Sequence, residues 1–117
     1  MPEINLFRAA AVHRDMTAGE ILFNEGDLAE EMYGVIDGSF EIVRGDEVLE
    51  TVEAGGVFGE VALLGDNHRT LCARAKTDAV VAVVSEDEFM KLVKMNAFFA
   101  LEVMRLLAER LQRAAAS

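Results

Sequence analysis

The stretch from Phe58 to Thr70 contains the residues that could do chemistry. It opens with Gly59 and the acid Glu60, continues through a short amphipathic segment and a polar turn, and ends on Arg69 and Thr70. Glycine lets a ligand approach the backbone closely, and the first N–H groups of a short helix can bind an anion. A carboxylate suits a pair of sugar hydroxyls, and an arginine supplies the forked donors that a phosphate needs. The stretch therefore predicts a site for a sugar joined to a phosphate.

A salt bridge between Glu60 and Arg69 is the simpler alternative for the same residues. In that case the pair ties a short helix to the next strand and binds nothing.

Metal binding and catalysis have little support in the sequence, because His13 and His68 are the only histidines and are far apart in the sequence. A clustered His/His/Glu metal site is therefore not available, and no nucleophile has a base and an orienting partner. We expect no metal, no cofactor and no catalysis.

Residues 12–84, which must position these groups, have the pattern of short strands separated by turns. Asp37-Gly38 is the strongest short hairpin signal, and Arg44-Gly45-Asp46 and Gly55-Gly56 mark two further turns. About seven or eight short strands at nearly even spacing are typical of a β-roll or jelly roll.

From Ser85 onward the pattern becomes helical. Ser85 and Glu88 can form a capping box, Asn96 offers a second cap, and residues 97–116 contain neither glycine nor proline. This last helix has two apolar sides, of which one can pack on the roll and the other is left for a partner. The alternative is a helix buried on both sides within its own domain. One side holds Val103, Leu106 and Leu107, and the other is a stripe of Leu101, Met104, Ala108, Leu111 and Ala115.

Composition narrows the class of protein. A chain of 117 residues suits one domain. Its net charge of −10, from 21 acidic and 11 basic residues, repels phosphate backbones, so we expect neither DNA nor RNA as a partner. The first fifteen residues lack the apolar run of a signal peptide or a membrane anchor. Cys72 is the only cysteine, which excludes an intramolecular disulfide and fits a reducing cytoplasm.

Four segments resemble the cyclic-nucleotide-binding domain family and follow one another along the chain in the order that the family has. This family includes catabolite activator proteins, regulatory subunits of cAMP-dependent protein kinase and cyclic-nucleotide-gated channels. Phe58 to Leu64, followed by Arg69-Thr70, resembles the phosphate-binding cassette. Residues 18–27 resemble the family's opening turn, residues 32–39 its hairpin, and residues 74–77 the strand after the cassette. One such segment would be weak evidence, whereas four in the right order are highly specific.

The resemblance implies an α+β fold in a single domain over residues 1–117. That domain would be a jelly-roll-like β-roll of about eight strands over residues 12–84, with C-terminal helices over residues 85–116. A short N-terminal helix and a short phosphate-binding helix complete the expected architecture.

The resemblance also implies a role for individual residues. Glu60 would bind the ribose 2′-hydroxyl beside the Gly59 backbone. Arg69 and the backbone N–H of Ala62 would hold the cyclic phosphate, with Thr70 adding a donor. Arg110 lies where some members place an arginine that meets the cassette glutamate. The other residues expected to line the ligand are Ile42, Leu49, Phe58, Val61 and Leu71.

Three positions depart from the family pattern. Leu71 stands where the family commonly has alanine, Cys72 replaces a hydroxyl or apolar residue, and His68 stands where many members have proline. The larger side chain of Leu71 either narrows the pocket, which would bear on ligand preference, or points into the core. Thr70 could hydrogen-bond the guanine amino group, so cGMP is an alternative to cAMP, which family frequency favours.

The expected function is reversible binding of a cyclic purine mononucleotide by a regulatory sensor. The C-terminal helix would transmit the signal to an unknown protein partner, with no role for nucleic acid or a membrane. The alternative is a ligand-free β-roll that serves as an interaction or dimerisation module, with a homodimer formed through the C-terminal helix.

Overall fold

Eight strands in two four-stranded sheets, followed by two helices, make up the computed structural model, which describes residues 12–60 and 68–116. The short N-terminal helix and the short phosphate-binding helix expected from the sequence lie outside these described residues. The strands are β1 (His13–Met16), β2 (Ile21–Phe23), β3 (Glu31–Asp37), β4 (Ser39–Arg44), β5 (Glu47–Glu53), β6 (Val57–Phe58), β7 (Cys72–Ala75) and β8 (Ala79–Ser85). The helices are α1 (Glu86–Met95) and α2 (Ala97–Ala116).

The two sheets face each other, and every strand pair is antiparallel. One sheet has the order β1-β8-β3-β6 and is called here the helix-covered sheet. The other, the outer sheet, has the order β2-β7-β4-β5. Because most successive strands belong to opposite sheets, the chain winds around the space between them. This confirms the predicted β-roll within an α+β fold.

The helix-covered sheet is buried on both of its faces. One face packs on the outer sheet through a cluster that includes Phe23, Tyr33, Phe40 and Phe58. The opposite face packs against the helices through a second cluster that includes Phe99. The middle strands β3 and β8 are therefore almost continuously apolar and do not alternate, as is typical of strands covered on both sides.

The Asp37-Gly38 hairpin prediction is wrong. β3 belongs to the helix-covered sheet and β4 to the outer sheet, so the two strands do not pair. The dipeptide forms a corner at which the chain changes sheets, and Gly38 adopts a φ of 80° there. A turn signal marks where the chain bends, but not which sheet the next strand joins. The predicted turn at Gly45 does close a hairpin, since Arg44 pairs with Glu47 across β4 and β5.

The predicted caps at Ser85 and Asn96 are confirmed, although of the Ser85–Glu88 capping box the structure shows only the bond to the Ser85 hydroxyl. Ser85 precedes α1, and its hydroxyl oxygen accepts a hydrogen bond from the Glu88 N–H at 3.2 Å. Asn96 separates the helices, and its Oδ1 accepts from the Phe98 N–H at 3.0 Å. Each side chain satisfies a backbone donor that lacks a partner within its helix.

Helix α2 buries one of its two apolar sides. Phe99, Val103 and Leu106 pack on the helix-covered sheet. Leu101, Met104 and Leu111, from the predicted stripe, are 40%, 58% and 72% exposed. This chain alone therefore does not bury both sides of α2. Across the described residues, no helix has the length and apolar character needed to cross a membrane.

We expect Gly38→Ala to destabilise the roll by roughly 2–5 kcal/mol, because an added Cβ would lie 2.4 Å from the Asp78 carbonyl oxygen of a neighbouring corner. Gly19→Ala is the matched control, since its φ of 88° is also positive but no atom lies within 4 Å of the added Cβ. It should cost only about 1–2 kcal/mol. Urea unfolding measures both, and equal losses would show that contact at the Gly38 corner does not matter.

Candidate ligand-binding site

An open cavity of about 600 Å³, including its mouth, lies within the roll. Both sheets contribute to its walls, and Arg110 reaches it from α2. The cavity is lined by Phe23, Ile42, Glu50, Phe58, Gly59, Glu60, His68, Arg69, Thr70, Leu71 and Arg110.

Gly59 is needed where the chain leaves β6 because two side chains press against its backbone. Its φ is 79°, a conformation that side chains disfavour. A Cβ at this position would lie 3.0 Å from Arg69 Nη1 and 3.2 Å from Tyr33 Cδ2. The absence of a side chain therefore lets Arg69 approach the backbone just before Glu60.

Arg69 is a buried cation, only 7% exposed. Its Nη1 donates to the Gly59 carbonyl at 2.9 Å, and its Nη2 donates to the Glu31 carbonyl. Its Nε is buried without a hydrogen-bond partner. Because guanidinium has five N–H donors, the two carbonyls leave part of its donor capacity unused. Arg69 is therefore held in place while its Nε–H remains without an acceptor.

Glu60 pairs with Arg110, and not with Arg69 as the simple salt-bridge alternative requires. Arg110 Nη1 contacts Glu60 Oε1, and Arg110 Nη2 donates to the Val57 carbonyl. Arg110 Nε also lies 3.3 Å from Glu50 Oε2. One arginine of α2 therefore joins two carboxylates of the cavity to the last helix.

Tyr33 lies beside the Arg69 guanidinium, and its phenol remains neutral. Burial raises the pKa of its phenol above the ordinary value of 10.0, and the Glu31 carboxylate acts in the same direction. The Arg69 guanidinium opposes both effects and lowers the pKa. The net shift is upward, so the phenol stays protonated at neutral pH.

The structure brings together most of the residues predicted to bind ligand. Val61 and Ala62 lie outside the described residues. The predicted residues that line the cavity are Ile42, Phe58, Gly59, Glu60, Arg69, Thr70, Leu71 and Arg110.

Leu49 was predicted to line the cavity, but it lies outside the cavity wall and is 40% exposed. Ile42 pairs with Glu50 and the next residue, Val43, pairs with Val48. Leu49 is thus the extra residue of a β-bulge. Its place in the cavity wall is taken by Glu50.

Phe23, Glu50 and His68 also line the cavity and were not predicted. The alternation of β5 contains a signal for Glu50, because side chains two residues apart share one face. Val52 is buried in the core between the sheets, so counting back two residues places Glu50 on the inward face. The family resemblance instead indicates the neighbouring Leu49.

A comparison with protein families matches residues 13–96 to the cyclic nucleotide-binding domain. The chain belongs to this family. The match covers the whole roll and the first of the two C-terminal helices.

Individual relatives agree with this assignment. The chain is 34% identical over 77 residues to a cAMP-dependent protein kinase regulatory subunit of Schizosaccharomyces pombe, covering 65% of this chain and 19% of that protein. It is 28% identical over 117 residues to a cyclic AMP receptor protein of Thermus thermophilus, covering 96% of this chain and 54% of that protein. These curated relatives are thus longer, and the chain spans about a fifth to about half of their length.

The fold is shared with a solved structure, the Thermus thermophilus catabolite activator protein. The two superpose with a TM-score of 0.82 at 24% identity, covering 97% of this chain and 55% of the other. At this identity the likeness concerns the fold of the roll and its helices.

We expect Arg110→Met to destabilise the protein by roughly 2–4 kcal/mol, because the variant leaves Glu60 buried without its cation. Arg113→Met is the control, since Arg113 is largely exposed and lies 3.7 Å from Glu50. Its loss should cost at most about 1 kcal/mol. Combining Arg110→Met with Glu60→Gln should recover part of the stability in urea unfolding. Equal effects of the two arginine variants would contradict a structural role for the Arg110 pairs.

Proposed function

We propose that the chain binds a cyclic purine mononucleotide reversibly in the cavity and acts as a regulatory sensor, with cAMP favoured over cGMP. One observation carries the proposal most directly: a buried arginine whose Nε–H has no acceptor lies in the same cavity as a buried glutamate. The family supports a cyclic nucleotide as the ligand. Two relatives named for cAMP favour that nucleotide.

The two charged residues suit the two polar parts of such a ligand. Arg69 would donate to the cyclic phosphate, because forked N–H donors and a permanent positive charge match phosphate oxygens. Glu60 would accept from the ribose 2′-hydroxyl beside Gly59, and Thr70 would add a donor. The N–H of Ala62 completes the proposed phosphate contacts.

The apolar side of the cavity would hold the base. Ile42, Phe58 and Leu71 line it. Apolar walls bind a purine ring by removing its faces from water. Leu71 narrows this side relative to the alanine that is common in the family.

Arg110 connects the cavity to α2, the helix that would transmit the signal. It lies on α2 and contacts Glu60, the residue proposed to bind ribose. A ligand that changes the position or hydrogen bonding of Glu60 would therefore change how α2 is held. The receiver would be another protein in the cytoplasm, where reducing conditions suit the free thiol of Cys72. No catalytic step, nucleic acid or membrane contact forms part of the proposal.

Titration with cAMP and cGMP tests the proposal, and we expect saturable micromolar binding with cAMP preferred. Arg69→Ala should weaken binding roughly 10- to 150-fold, because a charge-assisted hydrogen bond is worth about 1.5–3 kcal/mol. Arg74→Ala is the control, since Arg74 pairs with Glu41 on the outer sheet and does not line the cavity. Calorimetry measures all three proteins. No binding by the unaltered protein would reject the function, and equal effects of the two variants would remove Arg69 from the site.

The ribose contact has its own test. Glu60→Gln should weaken cAMP binding roughly tenfold, since a neutral amide oxygen is a poorer acceptor than a carboxylate. The unaltered protein should bind 2′-deoxy-cAMP with a similar loss, and the glutamine variant should barely distinguish the two nucleotides. Equal affinity of the unaltered protein for cAMP and its 2′-deoxy analogue would contradict the role given to Glu60.

A second candidate function, dimerisation through α2, is favoured by its exposed apolar stripe. Leu101, Met104 and Leu111 lie on the side of α2 away from the sheet and are exposed in the isolated chain. A second copy could bury this stripe against its own. The two functions are compatible, but a ligand-free dimer would be the whole function if no nucleotide binds.

We expect the protein to sediment as a dimer at micromolar concentration and Met104→Glu to convert it to a monomer, because a carboxylate would be buried in the helix pair. Leu28→Glu is the control, since Leu28 is 67% exposed against 58% for Met104 and belongs to the β-bridge with His68, outside α2. A monomer at all concentrations would reject this candidate.

A further inference from the structure

The guanidinium of Arg69 rests against two aromatic rings, one from each sheet. Its Cζ lies 4.1 Å from the centroid of the Phe23 ring and 5.5 Å from that of Tyr33. The two rings stack with centroids 5.9 Å apart and planes at 27°. Phe23 belongs to β2 of the outer sheet and Tyr33 to β3 of the helix-covered sheet. These two rings are called here the aromatic wall.

The aromatic wall acts together with the two carbonyls that bind Arg69. The Gly59 and Glu31 carbonyls accept from Nη1 and Nη2 and so constrain those two nitrogens. Ring faces attract a cation that lies over them, which constrains the guanidinium from a third direction. The donor without a partner is the buried Nε.

We propose that Phe23 and Tyr33 are positioning residues for the phosphate of the bound nucleotide. They act through Arg69, by holding its guanidinium where the Nε–H can meet a phosphate oxygen. The inference rests on the proposed function, since it concerns how the same site recognises its ligand. A free arginine side chain loses rotamer freedom when it binds a ligand. An arginine already held by the aromatic wall has lost that freedom beforehand, so the ligand is bound more tightly.

Phe40 belongs to the same buried cluster as Phe23 but does not contact Arg69. Phe40 is fully buried and packs against Phe58 with centroids 5.2 Å apart. Within the described part of the chain, the rings that contact the Arg69 guanidinium are those of Phe23 and Tyr33, and not that of Phe40. Phe40 does not line the cavity either. Position 40 therefore serves as a matched control that tests packing without the cation contact.

The first experiment places a trifluorinated phenylalanine at position 23 or, as the control, at position 40. Fluorine nearly preserves the ring's size but weakens the negative potential of its face, which is the source of the cation attraction. We expect cAMP to bind roughly 2- to 10-fold more weakly to the position-23 variant and unchanged to the position-40 variant. Equal affinities, or tighter binding at position 23, would overturn the inference.

A double-mutant cycle tests whether Phe23 acts through Arg69. Phe23→Leu is measured alone and combined with Arg69→Ala, with weak binding followed by NMR up to millimolar cAMP. If the ring positions the guanidinium, the loss caused by Phe23→Leu should largely disappear once Arg69 is absent. An equal loss in both backgrounds would assign Phe23 to packing and overturn the inference. The fluorinated variants provide the answer if the leucine variant does not fold.

The failure of this inference can be distinguished from failure of the proposed function. If the unaltered protein does not bind cAMP or cGMP, the proposed function fails. If it binds and Arg69→Ala weakens that binding, the function stands, and the variants at position 23 then decide the role of the aromatic wall alone.

Discussion

A permanent cation buried between two sheets is the constraint on which the rest of the site depends. Arginine stays charged in proteins, so burying Arg69 is costly unless its surroundings compensate the charge. The compensation comes from the Glu31 and Gly59 carbonyls and from the aromatic wall. The absence of a side chain at Gly59 is part of the same solution, because a Cβ there would lie only 3.0 Å from Arg69 Nη1 and crowd the guanidinium.

The negative net charge of the protein makes a buried cation more important for binding an anion. The protein carries a net charge of −10, so its overall field opposes an anionic ligand. Within the cavity, Arg69 faces inward while Arg110 is already engaged by Glu50 and Glu60. The local arrangement thus distinguishes the two cations: Arg110 holds the last helix, and Arg69 is the one that we propose to bind the phosphate of the ligand. A ligand that engages Glu60 acts on the same carboxylate that holds α2, which gives the sensor its proposed output.

The sequence predicted local features well, because these depend on neighbouring residues. The short strands, the turn at Gly45 and the caps at Ser85 and Asn96 all have signals within a few positions. The Asp37-Gly38 corner was mistaken for a hairpin because sheet membership is decided by distant strands. The bulge at Leu49 likewise depends on how β4 pairs with β5, which is not a local signal.

The site shows the same division between local and distant information. The spacing of Glu60 and Arg69 was enough to place both in one cavity. Whether they pair with each other depends on Arg110, 50 residues beyond Glu60. The aromatic wall likewise joins residues of different sheets to Arg69, and no local pattern indicates that contact.

The central claim is that a cyclic nucleotide binds with its phosphate on Arg69, and arginine side-chain NMR tests it directly. The Nε–H resonances of Arg69 and Arg74 can be followed in ¹⁵N-labelled protein as cAMP is added. We expect the Arg69 Nε–H signal to move downfield and saturate, because the buried donor gains a phosphate acceptor, while the Arg74 signal stays unchanged. Saturating nucleotide that leaves the Arg69 signal in place would contradict the claim.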